Sequence, residues 1–305
     1  MGTPEFAVTS LNKLVQSGKH DICGVVTIPD KPKGRGQKVK PSPVKKYAMD
    51  HNIDIMQPES FSDNMFIAQL KSYHADLFVV VAFRILPKEI FSIPPIGTVN
   101  VHASLLPKYR GAAPINWAII NGDSESGVTT MIINEKVDTG NILLQKNIPI
   151  SDQMTAGELH DKLAVIGADI LLETIDKLSD NSVEFINQND QLATKAPKIK
   201  KETCHLDFSK SAKEVYNLIR GLSPYPAAYF SHNNKLIKVF RNRIAEQPKQ
   251  NTAFGEIIEI GKDFVRIQCG TGAIDLLEVC LEGKKRTEIK AFLNGYQFKI
   301  GDRLE

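Results

Sequence analysis

Along the first 150 residues, short unbroken apolar runs alternate with stretches whose apolar positions recur at helical spacing. Asp21–Thr27 reads as a buried strand and Asp76–Phe83 (DLFVVVAF) as a second, rich in valine. Gly97–His102, Gly127–Asn134 and Asn141–Ile150 continue the series, with helices expected at Glu5–Gln16, Pro43–His51, Ser62–His74 and Ala113–Asn121. Buried β-branched runs alternating with helices predict an α/β domain, a doubly wound and mostly parallel sheet covered on both faces. Thr155–Leu178 then carries Leu159, Leu163, Ile166, Ile170, Leu171, Ile175 and Leu178 at helical spacing, which predicts a long closing helix.

The pattern changes beyond residue 180. Asn181, Asn187, Asn189 and Asp190 make a polar stretch that ends near Ala196-Pro197-Lys198, and it reads as a linker. One helix follows, Ser211–Leu222, stopped by Ser223-Pro224-Tyr225-Pro226. Strand patterns come next at Ala227–Ser231, Leu236–Arg241, Gly255–Ile260, Phe264–Cys269 and Ala273–Val279, with Asn233-Asn234 and Gly261-Lys262 at hairpin positions. Five short strands and a flanking helix predict a small β-barrel of the oligonucleotide-binding (OB) type, with a sandwich as the alternative. The expected organisation is a first domain over 1–180, a linker over 181–206 and a C-terminal OB-like domain over 207–305.

Composition narrows the class. Apolar residues make up 42% of the 305 and charged residues 24%, enough apolar surface for packed cores. The longest strongly apolar run, Leu77 to Phe83, is far too short to span a bilayer, and no signal segment opens the chain. Cys23, Cys204, Cys269 and Cys280 form no C-x-x-C pair, so neither a disulfide framework nor a metal site is expected, and a reducing cytoplasm is the expected compartment. Charge is unevenly placed. Between Asp30 and Asp50 lie seven basic residues and no acid, and residues 200–305 carry 18 Lys and Arg against 13 Asp and Glu. Local basic patches suit a polyanion better than a small neutral substrate, although a solvated surface accounts for the C-terminal excess about as well.

Candidate chemistry concentrates around residue 100. Asn100-Val101-His102 closes a predicted strand, and side chains at i and i+2 leave one face, so Asn100 and His102 point together. Ligands in open α/β sheets bind beyond the carboxyl ends of the strands, where this pair belongs. An amide donor beside an imidazole can stabilise an oxyanion and handle a proton; taken alone, N-x-H fits a structural histidine better. Ala103-Ser104-Leu105-Leu106-Pro107 places two leucines in a loop, suited to walling a flat apolar ligand. Val137-Asp138-Thr139-Gly140 contains the Asp-Thr-Gly triplet of aspartic proteases, but that chemistry needs two such triplets and the chain has one. The Gly34-Arg35-Gly36 segment opens no predicted helix and so makes a poor dinucleotide site.

Together these residues are specific. NVHASLLPKYRGAAPINWAIINGDSESGVTTMIINEKVDTGNIL, with N-x-H, S-L-L-P and the later aspartate, resembles the core of the 10-formyltetrahydrofolate-dependent formyltransferases. Gly2-Thr3-Pro4-Glu5-Phe6, Pro41-Ser42-Pro43-Val44-Lys45, Ser223-Pro224-Tyr225-Pro226 and the basic loop resemble the members that act on methionyl-tRNA, and the similarity runs over essentially the whole chain. The resemblance implies formyl transfer from 10-formyltetrahydrofolate, a consumed co-substrate, to the α-amine of methionyl initiator tRNA by a cytoplasmic monomer. It implies a catalytic trio of Asn100, His102 and Asp138. Ser104, Leu105, Leu106 and Pro107 would contact folate, with Phe83, Ile85 and Leu86 on the pterin side. Lys31, Lys33, Arg35, Lys38 and Lys40 would enter the acceptor stem, Arg35 nearest its end, and the C-terminal domain would face the same RNA. The alternative is a sibling enzyme formylating an amino-sugar nucleotide or glycinamide ribonucleotide.

Two departures from the family pattern stand out. Family members carry an apolar strand before G-T-P-E-F, so the first strand of the sheet is expected to be missing here. The loop Ala82-Phe83-Arg84-Ile85-Leu86-Pro87 has Arg84 where the pattern has glycine, and one residue fewer before the proline.

Overall fold

The computed structural model describes residues 1–33, 38–245 and 252–305. In chain order the elements begin with α1 (Glu5–Ser17), β1 (Val25–Val26), β2 (Lys31–Lys33), β3 (Lys38–Lys40), α2 (Pro43–Asp50), β4 (Ile55–Met56) and α3 (Asn64–Ser72). Next come β5 (Leu77–Val81), α4 (Lys88–Phe91), β6 (Gly97–His102), β7 (Arg110–Gly111), α5 (Pro114–Ile120), β8 (Glu125–Ile132) and β9 (Ile142–Pro149). Then follow α6 (Ala156–Ser179), β10 (Lys195–Ala196), α7 (Ala212–Leu222), β11 (Ala228–His232), β12 (Lys235–Ile244), β13 (Ile257–Ile260), β14 (Val265–Gln268) and β15 (Ala273–Leu281). The chain divides into two units. One comprises Met1–Gly111, Ser126–Ile148 and His160–Ala196; the other comprises Ala112–Glu125, Pro149–Leu159 and Pro197–Glu305.

The first unit is an α/β layer structure around a mixed sheet. β5 and β6 pair in parallel from Leu77↔Gly97 to Val81↔Val101, whereas β6 and β8 are antiparallel, with His102 opposite Thr129. β1 and β4 make a separate parallel pair. Met1 and Gly2 lie between β1 and β5. The Met1 nitrogen donates to the Val79 carbonyl at 2.6 Å, Val81 N–H donates to the Met1 carbonyl at 2.9 Å, and Gly2 N–H donates to the Val26 carbonyl at 3.0 Å. Two residues thus occupy the position of the strand expected to be missing, and a cavity of about 140 Å³ lined by Leu14, Val25, Leu77 and Val79 lies beside them.

Helix α6 covers one face of β6. A Cβ on Gly167 would stand 3.3 Å from Val101 and 3.6 Å from Val128, so the helix backbone lies close over the valine face. Leu163, Leu171 and Thr174 are fully buried there, and the Thr174 hydroxyl bonds that of Thr130 at 2.8 Å. Since side chains alternate along a strand, Asn100 and His102 leave the sheet on the opposite side from α6.

The polar stretch read as a linker is ordered up to Ala196 against the first unit. Ile186 bridges Ile142, and β10 pairs in parallel with β7 through Lys195↔Arg110 and Ala196↔Gly111.

In the second unit an antiparallel sheet in the order β11-β12-β15-β14-β13 buries Phe230, Ile237, Ile257, Ile267 and Leu276 against Val215, Ile219 and Leu222 of α7. A capping box starts α7, Ser211 accepting from Glu214 N–H while the Glu214 carboxylate accepts from Ser211 N–H. Helix α5, expected to flank the sheet of the first domain, packs against α7 instead. The Asn116 amide donates to the Gly221 carbonyl at 2.7 Å, and Gly221 has no room for a Cβ, which would meet Ile120 at 2.6 Å. Among the described residues the strands form an open path, so the small barrel expected from the sequence is not seen as a closed one. The edge strands β11 and β13 do not pair with each other. The C-terminal residues lie against both, Ser231 and Glu305 exchanging backbone hydrogen bonds while Leu304 N–H donates to Gly255 and Ile257 N–H to Asp302.

Candidate active site

Strand β6 presents Asn100, half-buried, and His102, which is 6% exposed. The His102 Nε2 lies 2.9 Å from the Tyr109 carbonyl oxygen, an atom that only accepts, so Nε2 carries a proton. That leaves Nδ1 as the nitrogen able to exchange one. Nδ1 stands 3.8 Å from Asp138 Oδ1, and both side chains are nearly enclosed. The other Asp138 oxygen, Oδ2, accepts from Gly111 N–H at 2.8 Å. Asp138 and Tyr109 both hold left-handed backbone, with φ of 55° and 63°. Gly140 follows because its Cα lies against β8, where a Cβ would fall 1.6 Å from the Ile132 carbonyl oxygen.

The loop after β6 is stapled from below. Thr129 Oγ1, wholly buried, donates to the Ser104 carbonyl at 2.6 Å and accepts from Leu106 N–H at 3.1 Å and the Gln145 amide at 2.9 Å. Ser104 is itself buried and spends its hydroxyl on the Lys108 carbonyl at 2.7 Å. Leu106 is 3% exposed and packs with Met131 and Ile142. Leu105 and Pro107 are half-buried.

The second expected folate segment begins at Ala82, with φ of 48°. Phe83 is half-buried, Ile85 is 76% exposed, and Leu86 is buried with Phe78 and Ile90. Between them Arg84 donates to the carbonyls of Pro58 at 2.8 Å and Glu59 at 3.1 Å. Its guanidinium carbon stands 4.3 Å from the centre of the Phe61 ring and 5.5 Å from that of Phe83.

The basic segment is a hairpin. β2 and β3 pair antiparallel, Lys31 opposite Lys40 and Lys33 opposite Lys38. Lys31 and Lys40 are exposed; Arg35 lies outside the described residues. At the hairpin's base Asp30 accepts from Lys45 at 2.5 Å and from the Gln57 amide at 2.9 Å, and these bonds, Lys45 first, hold its carboxyl below the ordinary range. Among the described residues no three His, Cys, Asp or Glu side chains gather as metal ligands.

Several residues that hold this site were not singled out from the sequence. Thr129 is a hydroxyl within an apolar strand run, a pattern that hints at a buried polar role. Tyr109, Arg110, Gly111, Gln145 and Gln188 carry no such signal.

The chain has counterparts among known proteins. Residues 1–175 match the family model described as "Formyl transferase", and residues 198–297 match "Formyl transferase, C-terminal domain". The chain belongs to the formyl transferase family. A methionyl-tRNA formyltransferase from Acetivibrio thermocellus is 44% identical over 305 residues, covering all of this chain and 98% of the relative. One from Bacteroides fragilis is 45% identical, covering 97% and 94%. Among solved structures, an N-formyltransferase from Helicobacter canadensis, in complex with folinic acid and dTDP-3-aminofucose, superposes with a TM-score of 0.65 at 24% identity over 90% of this chain and 96% of that one. At that identity the likeness shows the fold that family members share.

Proposed function

We propose that the chain transfers the formyl group of 10-formyltetrahydrofolate to the α-amine of methionyl initiator tRNA. The observation that carries the reading is the His102–Asp138 pair on the face of β6 turned away from α6, the face that Asn100 shares. Full-length relatives at 44% and 45% identity, both methionyl-tRNA formyltransferases, set the substrate class. The amine attacks the formyl carbon and forms a tetrahedral oxyanion. The C–N10 bond then breaks, and the proton lost by the amine goes to the departing folate nitrogen. Asn100 serves as an oxyanion donor, an interaction worth about 10²–10³ in rate. His102 moves the proton through Nδ1, because Nε2 is held by Tyr109, and Asp138 pairs with the imidazolium as it forms.

Leu105 and Pro107, half-buried within the stapled loop, and Phe83 and Ile85 serve as the folate-facing surface. Ser104, Leu106 and Leu86 support that surface from inside. The basic segment 31–40, with Arg35 in its sequence, and the basic excess of the OB-like C-terminal unit serve as the tRNA contacts. The four cysteines, all free, suit a reducing cytoplasm.

The test supplies 10-formyltetrahydrofolate with charged initiator methionyl-tRNA, charged elongator methionyl-tRNA or an amino-sugar nucleotide. Fast transfer to the initiator alone is expected. Transfer to the sugar and to neither tRNA would overturn the reading in favour of a sibling activity.

A further inference from the structure

Between Glu184 and Asp190 every residue is exposed except Gln188, which is half-buried. All the polar capacity of its side-chain amide turned inward is spent on the active-site loops. Its oxygen accepts from Arg110 Nε at 3.1 Å and Arg110 Nη2 at 2.7 Å. Its nitrogen donates to the Asp138 carbonyl at 3.0 Å and the Gly140 carbonyl at 2.8 Å. The guanidinium can only donate and the two carbonyls can only accept, so the amide has one workable orientation.

We propose that Gln188 is a positioning residue that sets the Asp138 carboxylate against His102. This rests on the role given to Asp138 above. The backbone at Asp138 is left-handed, a conformation that a non-glycine residue keeps only when its surroundings hold it. Gln188 clamps both ends of the turn, at 138 and 140. Through Arg110 it also ties in the neighbouring Gly111, whose N–H holds the carboxylate. The segment carrying Gln188 is anchored in turn by the Ile186–Ile142 bridge and by the Arg110–Asp190 ion pair at 2.7 Å. Without the two amide donors, the turn is free to rotate the carboxylate away from the imidazole.

Gln188→Glu tests this directly. It keeps an acceptor for Arg110, so the segment stays seated, but it removes both donors to the turn. Gln188→Leu removes the whole set. With initiator methionyl-tRNA and 10-formyltetrahydrofolate, kcat is expected to fall about 10- to 100-fold in both variants, the scale of a catalytic group displaced by about 1 Å. Both KM values stay within about twofold. In an Asp138→Asn background, Gln188→Glu is expected to add less than about a twofold further loss, since it acts through the group already removed. Full kcat in Gln188→Glu, equal fold-losses in the two backgrounds, or unfolding of both variants would overturn the proposal. Unchanged kcat in Asp138→Asn alone would instead overturn the reading of Asp138 on which it stands.

Discussion

His102 and Asp138 face each other across 3.8 Å, an ion-pair separation, while the other nitrogen of the ring is bound to the Tyr109 carbonyl. The pairing joins the end of β6 to a turn 36 residues further on, and both segments that meet the imidazole, at Tyr109 and Asp138, hold left-handed backbone. Each such residue costs on the order of 1–2 kcal/mol. Hydrogen bonds from Gly111 and Gln188 and the fit of Gly140 on β8 offset that cost.

Removal of the imidazole is expected to abolish proton handling without unfolding the chain. His102→Ala should lower kcat by about 10²–10⁴, and Asn100→Ala by about 10²–10³. Single-turnover transfer to initiator methionyl-tRNA measures both, with circular dichroism as the folding control. A His102→Ala enzyme of full speed would remove the histidine from the mechanism.

Arg84 binds the loop of Phe83 and Ile85 to the carbonyls of Pro58 and Glu59 and stacks over Phe61. Arg84→Ala should loosen that loop by about 1 kcal/mol, a rise of about fivefold in KM for the folate co-substrate, with kcat and the KM for tRNA little changed. An unchanged folate KM would show that the loop holds its shape without the guanidinium.

The hydroxyl of Thr129 serves three partners in the stapled loop. Thr129→Val keeps the volume but strands the Leu106 N–H, leaves the Gln145 amide with the Leu106 carbonyl alone, and removes the donor to Ser104. A loss of about 1–3 kcal/mol in urea unfolding is expected. A variant as stable as the parent would mean that the loop finds other partners.

At the base of the basic hairpin, Lys45 and Gln57 hold the Asp30 carboxyl below its ordinary range. A depressed carboxylate pKa gives stabilisation that is present above the unfolded value and is lost as pH falls through the folded one. The anchor is therefore intact at neutral pH and fails only at pH below the ordinary carboxylate value of about 4. Following Asp30 by NMR titration should show an upward shift toward that ordinary value in Lys45→Met. An unmoved titration would mean that Lys45 does not set it.

The sequence alone determined whatever depends on spacing within one element. Period-two alternation puts Asn100 and His102 on one face of β6, and helical spacing places Leu163, Ile170 and Leu171 in the buried stripe of α6. Motif content added the aspartate at 138 through resemblance, with no local pattern to place it near the histidine. Only the tertiary structure decided which partners meet across loops. It put α5 in the second unit against α7, and Met1-Gly2 between β1 and β5. It turned Ser104, Leu106 and Leu86 inward, and it brought Gln188 from a polar stretch onto the Asp138 turn. A side chain's period is set by its own backbone. Its partner is set by which buried donor or acceptor would otherwise go unpaired, and that competition exists only once distant segments have packed.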